Sequence, residues 1–183
     1  MLYTPRGSDP RDPDGLLYQS LEPVVRGLGL SLIELSVFRG GRGGNTRKVS
    51  RNVQVKATVY KAGITGVEDC SRVHRGILPR LELAFPGQDI YLEVSSPGIN
   101  RIIKDGSEFV HFIGQGVRCY RTDISDWTAG ILCAADEKGI VIRVESVSPA
   151  ASAAASAGGE VSLPYEVIAK ARLAGDVDVR EKK

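Results

Sequence analysis

Covalent catalysis needs a nucleophile with a base in reach, and metal chemistry needs several ligands gathered at one point. The only histidines, His74 and His111, are far apart in the sequence, and neither lies in a cluster of candidate ligands. Both are expected to be ordinary, partly exposed or hydrogen-bonded side chains. The cysteines Cys70, Cys119 and Cys133 form no CxxC pair, and an odd number of distant thiols argues against a disulfide framework or a zinc site. Reduced, partly buried thiols are predicted, with no catalytic residue, no metal and no cofactor.

What remains is charge. The net charge is only +2, but its distribution is uneven. No acidic residue lies between Glu34 and Glu68, whereas Arg39, Arg42, Arg47, Lys48, Arg51, Lys56 and Lys61 all do. Seven cations in one interval concentrate positive field there. Gly40 to Lys48 reads GGRGGNTRK, and its glycines would let backbone N–H groups approach phosphate oxygens. A phosphate loop of the NTPase kind is excluded, because Asn45 follows the last glycine where Lys and Ser/Thr should stand, and a strand pattern follows instead of a helix. Composition leaves two readings open: an arm that contacts phosphate backbone without reading bases, or a solvated loop.

The elements that would hold this segment are legible from periodicity. Asp14 is placed to cap a helix in which Leu17, Leu21, Val24, Val25 and Leu28 recur at helical spacing, with Pro23 kinking it and Gly27/Gly29 marking its end. Two alternating strands follow, Leu32 to Phe38 and Val53 to Tyr60, joined by the long Gly40 to Asn52 excursion. Thr65 and Glu68 have capping-box spacing before a second helix whose apolar face carries Val67, Cys70, Val73, Ile77 and Leu81. Pro79 should end or kink it. A third strand, Ile90 to Ser95, stops at Ser95-Ser96-Pro97-Gly98, with Pro and Gly at the central positions of a type II turn. Phe38 and Tyr60 point outward from their strands, and packing partners are the favoured reading over base stacking.

Beyond the turn the texture changes to short strand-like runs at 116–120, 128–134, 139–147, 160–164 and 170–173, the spacing of a small antiparallel barrel. Trp127, the sole tryptophan, is either core or part of a groove for a partner peptide. Ser148 to Gly159, nearly all Ala, Ser and Gly, reads as a flexible loop. The fold class is therefore α+β: an α/β domain (helix-strand-strand-helix-strand) over 15–98, then a β-barrel domain over 99–183, preceded by a flexible arm over 1–14. No apolar run approaches the roughly 18 residues that span a bilayer, and Met1 to Gly15 lacks an apolar signal core, so a cytoplasmic protein is expected. A composition of 42% hydrophobic and 25% charged residues suits an ordinary folded domain and excludes disorder.

The stretch Tyr91-Leu92-Glu93-Val94-Ser95-Ser96-Pro97-Gly98-Ile99-Asn100-Arg101 resembles the signature of the ribosome maturation factor RimP family. Leu21 to Val25, Gly29 to Leu35, Glu68-Asp69-Cys70 with Arg72, Gly130-Ile131-Leu132 and Leu163-Pro164-Tyr165 match further pieces in order, so the resemblance spans about Leu17 to Leu173. Asn100 and Ile102 stand where the family usually has Asp and Pro around Arg101, and the two loops look longer than usual. The resemblance implies an SH3-like or Sm-like barrel as the second domain, no enzymatic activity, and a monomer serving assembly of the small (30S) ribosomal subunit. Its implied partners are the small-subunit precursor, its rRNA and a ribosomal protein of the decoding region. Phosphate contacts are then expected from Arg39, Arg42, Arg47, Lys48, Arg51 and Arg101. An SH3-like protein–protein adaptor unrelated to ribosomes is the competing reading.

Overall fold

The computed structural model describes residues 1–3, 13–39, 52–62, 65–146 and 159–174, and its contacts divide into two compact units at Pro97/Gly98. The first unit is a three-stranded sheet, order β1-β2-β3, with two helices: α1 (Pro13–Gly27), β1 (Ser31–Arg39), β2 (Asn52–Tyr60), α2 (Val67–Ala84) and β3 (Asp89–Ser95). β2 is central, antiparallel to β1 and parallel to β3. Its alternation makes one face fully core: Val53, Val55, Ala57 and Val59 are buried against Leu21 and Val25 of α1 and Val73, Ile77 and Leu81 of α2. Apolar burial of this kind contributes roughly 1.5–3 kcal/mol per large side chain.

Several local features differ from expectation. α1 is described from Pro13, so Asp14 lies inside the helix and not at its cap. Both helices run through their prolines, Pro23 and Pro79. Fully buried Leu21 and Val25, and likewise Ile77 and Leu81, keep the residues on either side of each proline packed on the sheet, which outweighs the lost backbone bond. The cap of α2 sits one residue later than Thr65/Glu68 would put it. Gly66 is the N-cap residue and donates its N–H to Asp69 Oδ2 at 3.0 Å, while the Thr65 hydroxyl accepts from the Lys61 N–H at 3.2 Å. α1 ends in a left-handed Gly29 (φ 79°), and Arg72 Nη2 donates to the Leu28 carbonyl at 2.7 Å, so a cation from α2 closes the end of α1. Gly76 allows the approach: a Cβ there would lie 3.3 Å from Leu28.

The second unit is a six-stranded antiparallel sheet, order β4-β9-β5-β6-β7-β8, built from β4 (Ile102–Ile103), β5 (Gly116–Arg121), β6 (Asp126–Ala135), β7 (Gly139–Ser146), β8 (Glu160–Pro164) and β9 (Ile168–Leu173). No ladder joins β4 to β8 among the described residues, so no closed barrel is found there. A 3-10 segment, Gly106–Phe112, seats fully buried Phe109 and Phe112 in the core. Asp105 caps it, accepting from the Ser107 N–H at 2.8 Å.

The family-like motifs of this unit have packing reasons. A Cβ on Gly130 would lie 2.2 Å from the Arg143 carbonyl oxygen, so no side chain fits there. Tyr165 is buried, its hydroxyl 2.8 Å from the Asp136 carbonyl and 3.1 Å from that of Gly106, and burial pushes the phenol up to about 12. Met1 does not belong to a free arm: its amine donates to the carbonyls of Tyr165 and Ile168, and Tyr3 stacks on Tyr165 at 5.9 Å. The Ala/Ser segment lies outside the described residues but for its last residue, Gly159, whose carbonyl accepts from the Val144 N–H at 3.1 Å.

Candidate nucleic-acid interface

The basic interval is rooted at one end of the first unit's sheet, where β1 stops at Arg39 and β2 begins at Asn52. Arg42, Arg47, Lys48 and Arg51 lie outside the described residues. Arg39 is exposed, with its guanidinium carbon 5.5 Å from the centroid of the Phe85 ring, a cation–π contact that fixes where the charge stands. The two remaining cations of the interval are neutralised. Lys56 pairs with Glu93 at 3.1 Å across the β2/β3 ladder, and Lys61 pairs with Asp69 at 2.6 Å.

Asp69 thus ties both ends of the connection between β2 and α2. Its carboxyl stands below the usual carboxylate range, chiefly because the Lys61 ammonium and then the Gly66 N–H bind the ionised form. A carboxylate with a lowered folded-state value stabilises the fold above its unfolded value of about 4 and loses that contribution as pH falls through the folded value. Asp69→Asn should therefore lower the thermal midpoint at pH 7, and the gap to wild type should narrow below pH ~4, as read by thermal melts across pH.

Arg101 occupies a different setting from the one its place in the signature implies. Its Nε and Nη2 donate to Glu108 Oε2 at 3.2 and 3.0 Å, and the two side chains are only 11% and 2% exposed. This pairing with a buried carboxylate gives Arg101 a structural role in the second unit. The turn before it also differs from expectation. Gly98 is outside the left-handed region, and the hydrogen-bonded turn is Gly98–Arg101, closed by the Arg101 N–H on the Gly98 carbonyl at 3.0 Å. Arg101 sets that position: its side chain is tied to Glu108 and its carbonyl accepts from the Leu173 N–H at 2.9 Å.

Phe38, expected to be a packing partner, is 55% exposed, because the helices cover only the opposite face of the sheet. Tyr60 is half-buried, and burial raises its phenol. Tyr91 is 65% exposed and shares Phe38's face. Strand alternation places both rings on the outward face, and the structure shows that no helix covers it. Together with Arg39, Asn52 and Gln54, the two rings line a hollow of about 340 Å³.

In the second unit Trp127 is not core. It is half-buried on the outer face of the sheet, with the guanidinium carbons of Arg118 and Arg172 at 5.6 and 5.4 Å from its ring and Tyr120 edge-on at 5.5 Å. It borders a hollow of about 480 Å³ with Ile102, Lys104, Lys170 and Arg172. The three thiols are free, and burial pushes that of Cys119 up to about 12, which leaves it inert at neutral pH. Among the described residues no three of His, Cys, Asp and Glu gather as a metal site, and no helix is long and apolar enough to cross a membrane.

The fold defines a mixed α+β protein of two units, each with a surface hollow lined by aromatic and cationic residues. Residues 20–100 match the RimP N-terminal domain. The chain is 29% identical over 129 residues to a ribosome maturation factor RimP of Borrelia recurrentis (strain A1), which covers 70% of this chain and 82% of the relative. It is 26% identical over 157 residues to that of Borrelia turicatae (strain 91E135), covering 86% and 93%. The chain is thus similar to the RimP family.

Proposed function

We propose that this chain is a ribosome maturation factor acting in the cytoplasm on precursors of the small (30S) ribosomal subunit. Its first unit docks on small-subunit rRNA through Arg39, Arg42, Arg47, Lys48 and Arg51. Its second unit holds a ribosomal protein of the decoding region at the sheet edges β4 and β8, and the strand order β4-β9-β5-β6-β7-β8 fits an SH3-like or Sm-like barrel. Binding is to an assembly intermediate, which the factor keeps open until later proteins lock it.

The observation that carries this reading is the disposition of charge in a chain similar to this family. Lys56 and Lys61, which lie within the folded unit, are paired with carboxylates, whereas Arg39 is exposed at the end of β1, and four further cations follow it in the sequence. A cationic segment tethered to a rigid edge suits phosphate backbone, whose contacts give affinity without base specificity. The hollow beside Trp127 favours the adaptor reading, in which a peptide of a non-ribosomal protein binds there. Sedimentation of the tagged protein with lysate over a sucrose gradient separates the two. Co-migration with free small subunits and not with joined ribosomes is expected; protein that stays at the top at both low and moderate salt overturns the ribosomal reading in favour of the adaptor.

A further inference from the structure

The outer face of the first unit's sheet carries a transverse row: Phe38 of β1 is paired with Gln54 of β2, and Gln54 with Tyr91 of β3. Strands about 4.8 Å apart put the two aromatic positions about 10 Å from each other, with the amide between them. At that separation the rings do not bury one another, and they remain 55% and 65% exposed. The neighbouring row is Ser36, Lys56 and Glu93, and Asn52 faces Asp89 on the other side. No aliphatic side chain stands beside the rings in these rows. A protein-binding patch would be expected to surround its aromatics with further apolar area, since that is what association removes from water. Two separate rings on an otherwise polar sheet, with an amide between them, suit flat partners with polar edges, which is the chemistry of unpaired nucleobases.

Charge points the same way. The row lies at the end of the sheet where β1 stops at Arg39, and the segment that follows carries Arg42, Arg47, Lys48 and Arg51 with no acidic residue before Glu68. We infer that Phe38 and Tyr91 stack unpaired bases of single-stranded RNA and that the Gln54 amide hydrogen-bonds a base edge between them. This rests on the reading that the chain binds small-subunit rRNA and deepens it: the target is an unpaired stretch, a loop or an unfolded junction, and not a duplex.

The test uses the full-length protein and short fluorescein-labelled RNAs of about 12 nucleotides, within the range of single-strand site sizes. They are a mixed-sequence single strand, an abasic ribose-phosphate strand of the same length, and a duplex. Stacking of one base changes affinity about 5- to 150-fold. The single strand should therefore bind at least about tenfold more tightly than the abasic strand, and more tightly than the duplex. Phe38→Ala with Tyr91→Ala should remove that difference while leaving the dependence on salt, and Phe38→Trp with Tyr91→Phe should keep it. If wild-type protein binds the normal and abasic strands equally, the stacking site is overturned while phosphate docking stands. If it binds neither, both fall. Should the double alanine variant fail to fold, the wild-type comparison alone decides.

Discussion

Replacing Arg101 with methionine is expected to cost about 3–5 kcal/mol, the usual penalty when one partner of a buried ion pair is removed. Glu108, at 2% exposure, has little water to replace the lost contact. For a domain of this size each kcal/mol moves the thermal midpoint by about 4–8 °C, so the second unit should melt more than about 10 °C lower than in wild type. The double variant Arg101→Met, Glu108→Leu should regain most of the loss, because an apolar pair avoids the desolvation that the ions require. Melting followed by Trp127 fluorescence reads this unit directly. A single variant that melts like wild type but binds RNA more weakly would put Arg101 among the phosphate contacts and contradict the structural role.

How far the residues alone foretell these features depends on how local the cause is. β2 is legible because Val53, Val55, Ala57 and Val59 alternate with Gln54, Lys56, Thr58 and Tyr60, and burial follows that period without exception. The start of α2 is legible only to within a residue, since Thr-x-x-Glu and Gly-x-x-Asp overlap at positions 65–69 and the choice falls to Lys61, which binds Asp69 and not Glu68. Strand β4 spans only Ile102–Ile103, too short to show a period, and its pairing with β9 is set by Ala171 and Arg172, far along the chain. The pairing of Arg101 is hidden for the same reason: its partner sits on a 3-10 turn with no periodic signature beyond the spacing of Phe109 and Phe112. The Phe38–Gln54–Tyr91 row depends on the register of three strands, and on both helices packing on one face, neither of which is written in any one strand.

The second large effect concerns the claim that the basic segment docks on phosphate. Each phosphate contact releases condensed counterions, so the slope of log affinity against log salt records how many contacts are made, at roughly 0.9 per contact on duplex-like helices. Changing Arg42, Arg47, Lys48 and Arg51 to glutamate removes up to four of them, a slope change of up to about 3.6. Between about 50 and 200 mM salt, wild-type affinity would then fall about 100-fold further than that of the variant. At low salt the variant should bind far more weakly, and its fold should be intact because none of the four belongs to a described strand or helix.

The most direct measurement is therefore equilibrium binding of wild-type and four-glutamate protein to purified free small subunits over that salt range, with a melt of each protein as control. Weak, nearly salt-independent binding by the variant beside steep salt dependence for wild type is the predicted result. Equal affinities with equal slopes would contradict the account, whatever the sheet face and the second unit contribute.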